Sequence, residues 1–184
     1  MRAYHFLRED MRSSNGAEVP WVVGETRTVP GILALCRRGY HSCPTWGDCR
    51  DYLYGPIACE VDVSEPVERD KHKQVSRTRK LVAARNVLPE LRLWALECAE
   101  RAARHSPAAR ALHAVTRRRL DGAATRGELD IARSADAYAA AAAFTADAYD
   151  AYADAYDAER TWQNTRLGEL MDAAFARGQI EAEK

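Results

Sequence analysis

Charge of one sign is what this sequence most plainly lacks. Its 27 Lys and Arg balance 27 Asp and Glu, so no overall field draws the chain to nucleic acid or to a membrane surface. No apolar run approaches the ~20 residues that a membrane-spanning helix needs. The opening MRAYHFLRED has no apolar stretch of the kind a secretory leader carries, and a cytoplasmic, soluble protein is expected. Cysteines are few and odd in number, five, which without an export signal argues for reduced thiols rather than a disulfide framework. There is no C-x2-C knuckle and no Glu-x-x-His pair, which removes the familiar zinc-ribbon and di-metal patterns.

Neutrality hides a mild split. Met1 to Arg85 carries 14 basic against 11 acidic residues, and the remainder 13 against 16. The hydrophobic period changes at about the same place. Residues 1–85 read as a small, mostly antiparallel α+β module. Ala3–Leu7 is a candidate strand, Ser13-Ser14-Asn15-Gly16 a turn, and Trp21–Val23 with Thr26–Val29 a hairpin about Gly24-Glu25. Ile32–Cys36 is apolar. Thr45 heads a short helix that ends at Gly55-Pro56. Ile57–Val63 alternates cleanly, with Ile57, Cys59, Val61 and Val63 on one face, and Lys71–Ala83 is its expected antiparallel partner.

Residues 86–184 read as an alanine-rich helical domain, a hairpin or bundle with one long amphipathic helix. Leu91, Trp94, Ala95, Cys98 and Ala102 recur at helical spacing; Ser106-Pro107 opens a second helix and Asp121-Gly122 closes it. Thr125 with Glu128 is a capping box at the head of a third. That helix sets Tyr138, Ala142, Thr145, Tyr149, Tyr152 and Tyr156 in one stripe, opposite Asp136, Asp147, Asp150, Asp154 and Asp157. Leu167, Leu170, Met171 and Ala174 continue the stripe. A seam of this kind implies a helical partner from this chain or another, and a helix of about 50 residues either breaks near Gly168 or projects.

The densest chemistry is Cys36-Arg-Arg-Gly39-Tyr40-His41-Ser-Cys43, with Cys49 beyond. Cys36, His41, Cys43 and Cys49 are the donor types of a tetrahedral zinc site, but their spacing matches no common pattern, and buried structural thiols are the preferred reading. A nucleophilic Cys-His pair with Asp48 or Asp51 is the catalytic alternative. His41 is expected to hydrogen-bond a loop backbone. The basic segment 69–85 offers Lys71, Lys73, Arg77, Arg79 and Lys80 as phosphate contacts, yet no aromatic interleaves it, and an edge strand guarded by its basic residues is the usual explanation of such a run.

Leu35-Cys36-Arg37-Arg38-Gly39-Tyr40-His41-Ser42-Cys43 resembles a motif of an uncharacterised domain common in bacteriophage and prophage genomes. In that domain G-[FY]-H-[AS]-C follows a Leu-Cys pair and precedes a small helix, a Val-rich strand and a lysine-rich segment. Here these correspond to Cys43 through Tyr54, Ile57–Val63 and Lys71–Leu81. The second half resembles alanine-rich tails fused to that domain, and also immunity (bacteriocin-protection) proteins, through Leu91–Ala99 and Glu159–Leu167. The resemblance implies a viral or mobile-element accessory protein, with an anti-defence role among its settings. A non-enzymatic interaction protein is expected, without cofactor, which binds itself, a virion protein or a host-defence protein through Tyr138, Tyr149, Tyr152, Tyr156 and Trp162. The alternative is a small enzyme, since the layout around Gly39–His41 is similar to the segment lining the NAD cleft of ADP-ribosyltransferase folds. Nucleic-acid contact through 69–85 is a further alternative.

Overall fold

The structure is a computed structural model that describes residues 1–14, 18–64, 68–102, 107–128, 131 and 149–177. Its strands are β1 (Arg2–Leu7), β2 (Thr26–Thr28), β3 (Tyr40–Ser42), β4 (Ile57–Val63), β5 (Glu68–Arg69), β6 (Gln74–Ser76) and β7 (Thr78–Asn86). They form a four-stranded sheet, β1-β4-β7-β2, and a three-stranded sheet, β3-β6-β5; every pairing is antiparallel. A bridge between Tyr4 and Cys43 stitches the two sheets together. The helices are α1 (Leu88–Ala102), α2 (Pro107–Leu120) and α3 (Tyr149–Ala176). The fold is thus α+β, an N-terminal antiparallel region followed by helices.

The alternation in Ile57–Val63 does what the pattern requires. Ile57, Cys59, Val61 and Val63 join Ala3, Leu7, Trp21, Leu81 and Ala84 in one buried cluster. Strand β7 keeps its side of that cluster only through a bulge. Glu60 pairs with Ala83 and Val61 with Leu81, so Val82 is the extra residue. The bulge shifts the two-residue period by one. Leu81, and Arg79 opposite Val63, therefore turn inward, where an unbroken strand running on from Ala84 would have put Val82 and Lys80.

The opposite face of the sheet is covered by Trp46. Its ring lies 4.3 Å from Tyr4, 5.7 Å from Phe6 and 5.3 Å from Phe175 of α3. Gly47 admits this segment of α3 closely, because a Cβ there would lie 2.9 Å from the Asn164 backbone oxygen. Thr45 and Asp48 bond reciprocally at the start of the turn: Thr45 Oγ1 donates to Asp48 Oδ2 at 2.6 Å, and the Asp48 amide donates to Thr45 Oγ1 at 3.2 Å. The helix expected here is a 3-10 helix over Gly47–Tyr52.

Two compact units result: Met1–Leu91 together with Trp162–Lys184, and Arg92–Thr161. The reading from sequence set its boundary at 85/86 and kept the whole last helix with the helical half. The difference lies in Leu167, Leu170, Met171 and Ala174, which are buried. Helix α3 runs through Gly168 without a break, because an isolated helical glycine costs only about 1 kcal/mol. In the second unit, Arg101 pairs with Glu159 at 2.9 Å. Thr125 and Glu128 form the expected capping box, with the Thr125 amide donating to Glu128 Oε2 at 2.8 Å and the Glu128 amide to Thr125 Oγ1 at 3.2 Å.

Other expectations are corrected. Trp21–Val23 is not a hairpin strand: the segment turns, and the Gly24 amide and Glu25 carbonyl bond to Leu81 instead. The apolar Ile32–Cys36 lies outside the strands and is not all interior: Ile32 is 89% exposed. Lys71–Ala83 divides into β6 and β7 in different sheets. On α1 only Leu96 is buried among the described residues, while Ala95 is exposed. Tyr138 and the side chains of Tyr149, Tyr152 and Tyr156 lie outside the described residues; Trp162 is half-buried. Among the described residues no helix is long and apolar enough to cross a membrane.

Candidate functional site

The Cys36–Cys43 segment is shaped by two backbone positions with positive φ. Ala34 and Arg38 close a tight turn, with the Ala34 amide on the Arg38 carbonyl at 3.0 Å and Cys36 at φ 62° between them. Gly39 follows at φ 125°, and a side chain there would collide with Val75 Cγ2. Glycine is what lets the chain enter β3 flush against β6.

His41 is held as the loop-backbone reading expects. Its Nε2 accepts the Cys36 amide at 2.8 Å. Nε2 is therefore an unprotonated acceptor, and burial, followed by the Lys73 charge, lowers the imidazole below its usual value. The Cys36 thiol faces elsewhere and receives Lys73 Nζ at 2.8 Å, while that ammonium also lies 5.4 Å from the Tyr52 ring centre. His41 is thus paired with the amide of Cys36 and not with its thiol.

The remaining cysteines are interior. Burial, then Cys43, pushes the Cys49 thiol well up, and burial lifts Cys59 to about 12. Among the described residues no three His, Cys, Asp or Glu side chains gather as metal ligands, so Cys36, His41, Cys43 and Cys49 do not converge on a point. Asp48, considered as a catalytic acid, instead accepts His72 Nδ1 at 2.8 Å, and Asp51 pairs with Arg50 at 3.1 Å.

The basic segment does not form one row. Arg77 is spent on the Val29 and Gly31 carbonyls at 3.2 and 3.0 Å. Lys73 is turned to Cys36, Lys71 and Lys80 are exposed, and Arg79 is 2% exposed. Arg79 lies with its guanidinium carbon 4.4 Å from the Trp21 ring centre and 4.8 Å from that of Tyr40. It donates to the His41 carbonyl at 3.3 Å. Burial lowers it to about 10. Arg27 approaches Trp21 too, at 4.1 Å, and is anchored on Glu25 at 2.7 Å.

His5, from β1, completes this group. It pairs in register with Cys59, on the face of Ala3 and Leu7. Its Nε2 is covered and has no hydrogen-bond partner among the described residues. Burial first, then Arg79 and His41, hold it well below the usual imidazole value. His5 and Trp21 were not singled out from sequence as site residues. The signal was present, since the i, i+2 face of AYHFL carries a histidine between alanine and leucine.

The two depressed histidines make stability pH-dependent. In the unfolded chain each titrates near 6.5. As pH falls through that value the unfolded chain takes up protons the folded one refuses, so stability is full above about 6.5 and declines below it. Each histidine contributes up to about 1.4 kcal/mol per pH unit in that window. The depressed carboxyls of Glu25 and Glu128 have an ordinary value of 4.5 and act only at lower pH. Urea unfolding at pH 7.5 and 5.5 measures this, and equal stabilities would contradict it.

The family model of a domain of unknown function, DUF7666, matches residues 1–92. The chain belongs to that family. The match takes in both sheets, the His5–Arg79 group and the first residues of α1. No curated protein and no solved structure matches the chain.

Proposed function

We propose that this DUF7666 chain is a non-enzymatic accessory protein of a phage or mobile element that works by binding another protein, either a second copy of itself or a virion or host-defence component. The observation that carries the reading is a set of exposed aliphatic side chains in the segments before and after β2. Val19, Val22 and Ile32 are 73%, 62% and 89% exposed. They flank β2, the outer strand of its sheet. Outer strands and exposed aliphatic side chains are where partners dock. The site around Gly39–His41 supports the same view. His41 holds backbone, the Cys36 thiol holds a lysine, and both uses are structural. The tyrosine stripe of the sequence, Tyr138, Tyr149, Tyr152 and Tyr156, would suit the same purpose. The scattering of the basic residues weighs against nucleic acid as the partner.

Sedimentation velocity of the full chain over a range of concentrations, with crosslinking in its native host, tests this. Association, or a stoichiometric protein partner, is expected, and both should be lost in Val22→Asp with Ile32→Asp. These exposed positions should cost the fold under about 0.5 kcal/mol. A wild type that stays monomeric and recovers the same crosslinked proteins as the double variant would overturn the proposal.

A further inference from the structure

Cys36 is exposed, whereas Cys43, Cys49 and Cys59 are buried and Cys98 is half-buried. Cys36 stands at φ 62°, a conformation that residues other than glycine adopt rarely. Three hydrogen bonds hold its turn in place. The Ala34 amide donates to the Arg38 carbonyl at 3.0 Å, the Cys36 amide to His41 Nε2 at 2.8 Å, and the Leu35 amide to Glu68 Oε2 at 2.9 Å. Glu68 belongs to β5, so the turn is fastened to the β5–β6 hairpin. Lys73 sits at the closed end of that hairpin. The Asp70 amide donates to its carbonyl at 2.8 Å, and its neighbour His72 is bonded through Nδ1 to Asp48 at 2.8 Å. With both turns fixed, Lys73 Nζ lies 2.8 Å from Cys36 Sγ. The Tyr52 ring centre, 5.4 Å from the ammonium, braces the same side chain. A lysine amine is ordinarily left to water. Here it is held in contact with an accessible thiol from a different turn.

We propose that Cys36 and Lys73 form a redox-sensitive crosslinking site, in which oxidation by a peroxide joins Sγ to Nζ in a reversible sulfenamide. In the first step the Cys36 thiolate attacks one oxygen of hydrogen peroxide. A sulfur–oxygen bond forms and the peroxide bond breaks, giving Cys36 sulfenic acid and a hydroxide that the thiol's own proton turns to water. In the second step the neutral Lys73 amine attacks the same sulfur. A sulfur–nitrogen bond forms, the sulfur–oxygen bond breaks, and the departing hydroxide takes a proton from nitrogen and leaves as water. The pair gives up two electrons and two hydrogens, and one peroxide becomes two waters. Sulfenic acids are captured by a thiol or a nitrogen within reach. Cys43, Cys49 and Cys59 are interior, and Lys73 Nζ is already in contact, so capture needs no encounter. In the reduced chain the bond to Cys36 is the main cause holding Lys73 above its ordinary value. Oxidation of the sulfur weakens that bond and releases the amine for attack. The link closes a ring between residues 37 apart, and it fastens the Cys36 turn to the β5–β6 hairpin by restricting the unfolded chain. This inference is independent of the protein-partner proposal, because it needs no second protein.

The test treats the full chain with hydrogen peroxide at mildly alkaline pH, blocks the remaining thiols and digests with trypsin without reductant. Mass spectrometry should find the peptide Thr28–Arg37 joined to His72–Arg77, two hydrogens lighter than the sum of the two. Dithiothreitol should return the separate peptides. The oxidised chain should melt at a higher temperature than the reduced one, and the rise should vanish with dithiothreitol. Lys73→Arg keeps the charge but replaces the attacking amine. It should abolish both the link and the rise, and dimedone, which traps sulfenic acid, should label Cys36 more heavily than in the wild type. A lysine that merely packs against the turn would leave that labelling unchanged. Should the arginine variant not fold, the peptide map of the wild type still decides. Oxidised Cys36 that only retains oxygen, or that forms a disulfide with a second chain, with no peptide joined to Lys73, would overturn the site.

Discussion

Gly39→Ala should unfold the N-terminal unit at markedly lower denaturant than the wild type. Gly39 sits at φ 125°, and its new methyl group would meet Val75 Cγ2, with Leu33 Cδ2 and the Ser76 carbonyl oxygen each 3.4 Å away. Backbone strain at such a φ costs on the order of 1–3 kcal/mol, and overpacking a filled interior a further 1–3. Together these reach roughly 2–6 kcal/mol, a large share of the 5–15 kcal/mol that holds a typical domain together. Val75 is fully buried and belongs to β6, so it cannot step aside without disturbing its pairing with β3. Gly24→Ala is the control. Its φ is 91° but nothing lies within 4 Å of the new carbon, so only the strain remains, about 1 kcal/mol. Urea denaturation of both variants checks the difference, and equal costs would show that the Val75 contact carries no weight.

A chain ending at Thr161 should fail to fold its N-terminal unit, even though it retains every residue of the family match. The deleted segment contributes Leu167, Met171 and Ala174, each fully buried, and Leu170 at 9% exposure. It also removes Phe175 from Trp46, which is otherwise 4% exposed. Burying a leucine or methionine side chain stabilises by about 1.5–3 kcal/mol. Three such side chains give roughly 5–9 kcal/mol, comparable with the whole stability of an ordinary domain. Loss of the exposed Arg177–Glu90 pair adds little, as such surface links do, and the Arg50–Gln163 hydrogen bond at 3.2 Å is lost as well. Near-UV circular dichroism and dye binding by the truncated chain are the measurements. A cooperative melt at the wild-type temperature would show that the two sheets stand without the helix.

The sequence by itself determined the class of this fold and several of its elements. Ile57–Val63 could only be a strand facing a core with every second residue, and Thr125 with Glu128 marked a helix start. In both cases local patterning and the tertiary environment agree. It also identified His41 as a loop-binding residue, because a histidine just after Gly39 in a tight turn is surrounded by free backbone groups.

Tertiary structure alone decided three matters. The valines before β2 resemble a strand, but Gly24 and Glu25 found partners on Leu81, and the chain turned away from the pairing that Val22 and Val23 would have made. The last turns of α3 are as apolar as a bundle helix would be, yet they cover Trp46, since apolar surface is buried wherever complementary surface is offered. Arg79 is the third case. Its sequence neighbours are a row of cations, and a row of cations suggests a solvated edge. The extra residue Val82 in β7 moved the register by one and turned Arg79 into the interior against Trp21 and Tyr40. A two-residue period carries no record of where it will slip, so a single bulge placed this charge in the space between the sheets.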